Sequence, residues 1–131
     1  MTRRTDVLTT PVGPLPSVGY IYSSSDRRTS YGVDYADYPA NVARSIDPER
    51  LLDAVADELV RKVQGRQLQR GGLAIERNPG REMTVAAPGG FVRARIFLVG
   101  QRQYQVVAVT PDERTGAKDA EKFLNSFKLV R

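Results

Sequence analysis

Three pairs of acids are spaced closely enough to share work as general acid and base: Asp34 with Asp37, Asp53 with Asp57, and Asp112 with Glu113. On a strand, Asp34 and Asp37 project from opposite faces and are kept apart. On a helix, Asp53 and Asp57 share a face at i and i+4, opposite Leu52 and Leu59, and a solvated side accounts for them. Ser23, Ser24 and Ser25 offer hydroxyls without a base to activate one. The 131-residue sequence contains no histidine and no cysteine. Those absences exclude a Ser-His-Asp triad, a histidine metal ligand, thiolate zinc sites, iron–sulfur clusters, disulfides and a cysteine nucleophile. A hydrolase or transferase would have to run on Asp, Glu and Lys alone. The expectation is a non-enzymatic protein, without cofactor or metal.

Binding chemistry is better represented. Five of the six tyrosines fall between Tyr20 and Tyr38, next to Arg27 and Arg28. Aromatic rings beside guanidinium groups can stack bases as a single-strand platform does. The plainer reading is a tyrosine-rich face packed under a helix, with hydroxyls reaching its rim. Arg93 and Arg95, two residues apart on one strand, point the same way and suit a carboxylate or phosphate. Glu82 lies within cross-strand reach of both, which favours a structural ion-pair group. The glycine pairs Gly71-Gly72 and Gly89-Gly90 lack the following helix and Lys-Ser/Thr pair of a phosphate loop, so hairpin turns explain them. The candidate binding surface is therefore Tyr20, Tyr22, Arg27, Arg28, Tyr31, Tyr35, Arg93 and Arg95.

These residues need elements to place them. Thr5 to Pro16 holds three prolines and reads as an edge strand at best, followed by a loop. Val18–Ser24 and Ser30–Tyr38 alternate around a polar turn, a hairpin with Tyr20, Tyr22, Tyr31, Val33 and Tyr35 on one face. Asp47 as N-cap, Pro48 at the first helical position and Glu49 in the first turn start a helix. Leu51, Leu52, Val55, Leu59 and Val63 give it an apolar stripe that must cover a sheet, and Gly65 stops it. Gln67 to Arg77 reads as a strand broken at Gly71-Gly72. A three-stranded meander follows over 80–88, 91–99 and 103–110, with Gly89-Gly90 as its first turn. That turn sets Met83 opposite Ile96 and Val85 opposite Ala94, with Glu82, Thr84, Arg93, Arg95 and Phe97 on the other face. A polar loop, a helix over Ala117 to Asn125 and a last strand from Ser126 to Val130 close the chain. Strands in runs with helices between them predict an α+β domain, an antiparallel sheet flanked by helices.

Composition suits one domain over 1–131: 40% hydrophobic residues support a single core at this length. The net charge of +5 comes from 16 Arg and 4 Lys against 15 acids, with no run of five like charges. A generic solvated surface is the better reading than a nucleic-acid footprint. The Met-Thr-Arg-Arg start lacks a following apolar run of signal-peptide length, and no segment reaches the length of a membrane span. A soluble chain, cytoplasmic by default, is expected.

The stretch Asn78-Pro-Gly-Arg-Glu82, then Arg95-Ile-Phe-Leu-Val-Gly100, Tyr104-Gln-Val-Val107 and Phe123-Leu-Asn-Ser-Phe-Lys-Leu129 resembles a recurrent bacterial module related to the PsbP-like superfamily. The resemblance covers about 50 residues. It implies an αβα sandwich and an accessory or binding role, as in photosystem II extrinsic subunits and a Ran-binding nuclear transport factor, with no common catalytic site. Metal contacts in photosynthetic relatives involve histidine, so no metal site carries over. Such modules usually begin with a further strand upstream of the region matching Thr5 to Tyr38; its absence here implies either a start inside the domain or an exposed edge, with a homodimer expected through that edge. The expected partner is a protein; nucleic acid bound by the tyrosine hairpin is the alternative.

Overall fold

The structure is a computed structural model that describes residues 2–10, 12–25 and 28–129. Among these residues, seven strands form one antiparallel sheet: β1 (Thr2–Thr10), β2 (Gly13–Ser23), β3 (Ser30–Asp37), β4 (Arg66–Ile75), β5 (Asn78–Ala87), β6 (Gly90–Val99) and β7 (Arg102–Thr110). Their order is β1-β2-β3-β7-β6-β5-β4, so two sequential meanders join where β3 pairs with β7. Helices α1 (Ala40–Ser45) and α2 (Pro48–Lys62) lie between the meanders, and α3 (Ala117–Asn125) follows the second. The α+β, αβα arrangement expected from the sequence is present.

Helix α2 begins as its capping residues dictate: Asp47 Oδ1 accepts from the Glu49 amide, with Pro48 at the first position. Leu51, Leu52, Val55, Ala56 and Leu59 bury against Met83, Val85, Val92, Ala94 and Ile96. This is the main core, and each such large-to-Ala truncation typically costs about 2–5 kcal/mol. On the opposite face, α3 covers Phe97 and Val106 with Leu124 and Phe123. The middle strand β6 is thus buried on both sides, as its run Phe91–Ile96 requires.

Several local expectations are corrected. The edge strand expected within residues 5–16 is β1, which begins at Thr2, but the loop expected to follow it is largely strand: β2 already starts at Gly13. Pro14 and Pro16 are tolerated because β2 pairs with β3 only from Ser17 onward, so that stretch carries a single ladder. Gly71 and Gly72 do not break β4; the bulge falls at Leu68, between Gln67 and Gln69. The β5–β6 turn is Pro88-Gly89, because Gly90, at φ 141°, is already paired with Ala87. Met83 therefore opposes Ala94 and Val85 opposes Val92. The shift of two residues preserves both faces.

The helix end differs slightly as well: the positive φ of 54° falls on Gln64, one residue before Gly65. Helix α1, six residues long and without a side-chain cap, had no start signal to read. Residues 127–129 are not a strand; Phe127 instead packs on Phe97 and Tyr104. Val130 lies outside the described residues. Asp53 and Asp57 are not merely solvated, since α2 hangs them over the sheet where Arg81 and Arg70 hold them at 2.9 and 2.7 Å.

Candidate functional site

The hairpin residues form one surface, as the alternation required. Tyr20 pairs with Val33, Tyr22 with Tyr31 and Val18 with Tyr35, so all six share a face. That face belongs to α3 rather than to α2. Only its inner part is covered: Tyr31 stacks on Phe123 at 4.9 Å and on Tyr22 at 6.0 Å. Tyr35 meets Tyr104 and lies under the Arg102 guanidinium, itself held by both oxygens of Asp37. Beyond α3 the sheet is bare. Tyr20 and Tyr22 remain 42% and 45% exposed, and Val7, on the same face through its pairing with Pro16, is 57% exposed.

The arginines separate from this ledge. Arg28 sits at the hairpin tip beside 86–91 and 111–113, where its charge helps hold Asp112 below the usual carboxylate range after the amides and hydroxyl of Thr115 and Arg114 have done most of the work. Arg27 lies outside the described residues. Arg93 and Arg95 point the same way, as expected, but into contacts of their own chain. Arg93 is buried, donates to Thr110 Oγ1 and the Glu113 carbonyl, and stacks on Phe91. Arg95 donates to Glu82 Oε2 and Asn125 Oδ1, both at 2.8 Å. The pair ties α3 to the sheet. Their donors are engaged where a ligand anion would need them.

A second place was not legible in the residue list. On α2's face of β2 and β3, Gly19 and Gly32 form the bare floor of a cleft of about 170 Å³, with Val107 and Val109 as an apolar wall. Asp34 stands at one end. Lys62, from the last turn of α2, and Arg4 with Asp6, from β1, form the rim. Gly19 is required sterically: a Cβ there would lie 2.9 Å from that of Asp34. Gly32 has no such reason, since a Cβ would meet nothing closer than the Tyr20 carbonyl at 3.5 Å. Burial pushes the Asp34 carboxyl up, against the lowering pull of Lys62 and Arg4. A second cavity of about 310 Å³ under α2 shares Asp34, Lys62 and Val107 and is lined by Leu8, Val55, Leu59 and Val63. The signal for this site was two strand-interior glycines on the same face, which often mark a close approach.

Among the described residues, no group of three or more His, Cys, Asp or Glu is placed to hold a metal. None of the helices among the described residues is long and apolar enough to cross a membrane.

A sheet of seven antiparallel strands with one helix layer on each face, joined by a β3–β7 seam, is a PsbP-like fold. The chain superposes on the solution structure of the cyanobacterial PsbP protein CyanoP from Synechocystis sp. PCC 6803 with a TM-score of 0.57 and 8% identity, over 98% of this chain and 92% of that one. It also matches PA94, a Pseudomonas aeruginosa protein of unknown function for which a regulatory role has been suggested, with a TM-score of 0.54 and 10% identity over 98% and 99% of the two chains. No family model and no curated protein matches the sequence.

Proposed function

We propose that this chain is a non-enzymatic binding module whose tyrosine ledge docks a protein partner. The carrying observation is the uncovered part of the sheet beyond α3, where Tyr20 and Tyr22 are exposed as neighbours on one face of β2 and Val7 is exposed on the same face farther along β1. Exposed apolar side chains gathered on one face mark interaction surfaces, and tyrosine gives large contact area at low entropic cost. The satisfied donors of Arg93, Arg95 and Arg102 weigh against an anionic ligand on the same face.

Affinity capture from native lysate at low and moderate salt tests the reading, run with the wild type and a Tyr20→Ser/Tyr22→Ser double variant. A stoichiometric protein that survives moderate salt and is lost with the double variant supports it. Nucleic acid that elutes as salt rises would instead promote the tyrosine hairpin as a base-stacking platform. The reading extends to self-association. The outer edge of β1 is where a second copy would add a strand, and light scattering at rising concentration reports it.

A further inference from the structure

The face opposite the tyrosine ledge carries an independent feature. The cleft over Gly19 and Gly32 brings two carboxylates and two cationic groups around an apolar wall, in a space of about 170 Å³. At about 30 Å³ per water, that admits five or six waters, or a ligand head group of similar size. It is far too small for a nucleotide. Its charges are not mutually satisfied. Arg4 and Asp6 pair across 3.5 Å, while Asp34 and Lys62 make no ion pair with any described residue. Asp34 stands at the junction with the second cavity, where Leu8, Val55, Leu59 and Val63 form an aliphatic side and Glu58 and Gln105 a polar one.

Gly32 gives a reason to read the space as selected. A strand-interior glycine weakens its strand and forgoes packing. Here a Cβ would fit in ordinary van der Waals contact, so the backbone does not demand glycine. What glycine provides is the empty floor beside Asp34.

We infer that this cleft binds a small zwitterion of the aliphatic α-amino acid class, with its ammonium on Asp34, its carboxylate on Lys62 and Arg4, and its side chain directed under α2 toward Leu59 and Val63. Each ligand charge meets an opposite one in a partly dry site, where charge-assisted hydrogen bonds are strong. The site rejects a ligand lacking the ammonium because the partly buried Asp34 is then left unpaired, while a ligand lacking the carboxylate forgoes its contacts with the exposed Lys62 and Arg4. No part of this depends on the tyrosine ledge.

The test is titration calorimetry with L-leucine, 4-methylpentanoate and isopentylamine as probes, supported by chemical-shift mapping. Saturable binding of leucine is expected, with the two singly charged analogues about tenfold weaker or worse. Asp34→Asn and Lys62→Gln should each weaken leucine by about tenfold, and Gly32→Val should block it. Lys62 is exposed, so its variant keeps the test valid if Gly32→Val fails to fold. The Tyr22→Ser variant, at a ledge residue that does not line the cleft, should bind leucine as the wild type does. Absence of leucine binding in the millimolar range, equal binding of the amine alone, or leucine binding unchanged by both Asp34→Asn and Lys62→Gln would overturn the assignment.

Discussion

Asp34 is held in a state that costs the fold something. Its carboxyl is pushed above the ordinary carboxylate value, chiefly by burial, with Lys62 and Arg4 compensating only in part. A folded-state pKa above the unfolded one means that the native state binds more protons in the window between the two. Stability is therefore lost as pH rises through that window, and the loss is complete above it. Asp34→Asn is expected to raise the melting temperature at neutral pH, with the gain vanishing below the ordinary carboxylate range; thermal melts across pH check this. A variant that melts higher yet binds less would be a local stability–function trade-off. The tyrosine face was legible in the sequence because alternation fixes a face whatever the register. The partners of Arg93 and Arg95 were less so: Glu82 was within reach of the pattern, whereas Glu113 and Asn125 come from segments only the fold brings near. Asp34 looked isolated on its strand because Lys62, which lines the same cleft, comes from the far end of α2.

At the scale of elements, capping and periodicity carried α2 and α3 to within a residue or two, and alternation carried β5 to β7. What failed was punctuation that depends on neighbours. Prolines in β2 read as a loop until the one-sided ladder explained them, and α1 had no cap to announce it. The same logic bears on self-pairing. Asp6 Oδ1 accepts from the Val7 amide at 2.8 Å, which withdraws a donor from β1 and helps hold the Asp6 carboxyl below its usual range. Together with the charges of Arg3, Arg4 and Asp6, this blunts the edge. Dimerisation should accordingly be weak in the wild type and strengthened by Asp6→Ala, seen as a higher mass by light scattering. A clean monomer for both proteins at high concentration would remove the edge as an interface.

For the whole molecule, acid is the expected weakness. Asp37 lies below the usual carboxylate value through the hydrogen bonds of Arg102, and Asp53 through those of Arg81. Their folded pKa values are depressed, so the stability they contribute is present above the ordinary carboxylate range and lost as pH falls through the folded values. Asp34 acts in the opposite sense at slightly higher pH. The stability–pH profile should therefore rise gently as Asp34 takes up its proton and then fall, and Asp34→Asn should leave only the fall. Both carboxylates are about half exposed, so added salt should flatten that acid limb. Urea melts at a series of pH values and two salt concentrations resolve the two signs.

The β3–β7 seam has a kinetic consequence. Residues 66–110 can assemble by neighbouring hairpins, and 2–37 can do the same, but 30–37 must then find 102–110 across the intervening helices. Such a distant pairing closes a long loop and comes at the cost of chain entropy, which makes it the slow and conditional step of assembly. The tyrosine ledge and the glycine-floored cleft are both built largely on the first meander. The ledge can form with the first meander alone, whereas the cleft, walled by Val107 and Val109 and rimmed by Lys62, would come into being only when that seam zips and would be forfeited if it opened while the α2-covered core stayed intact.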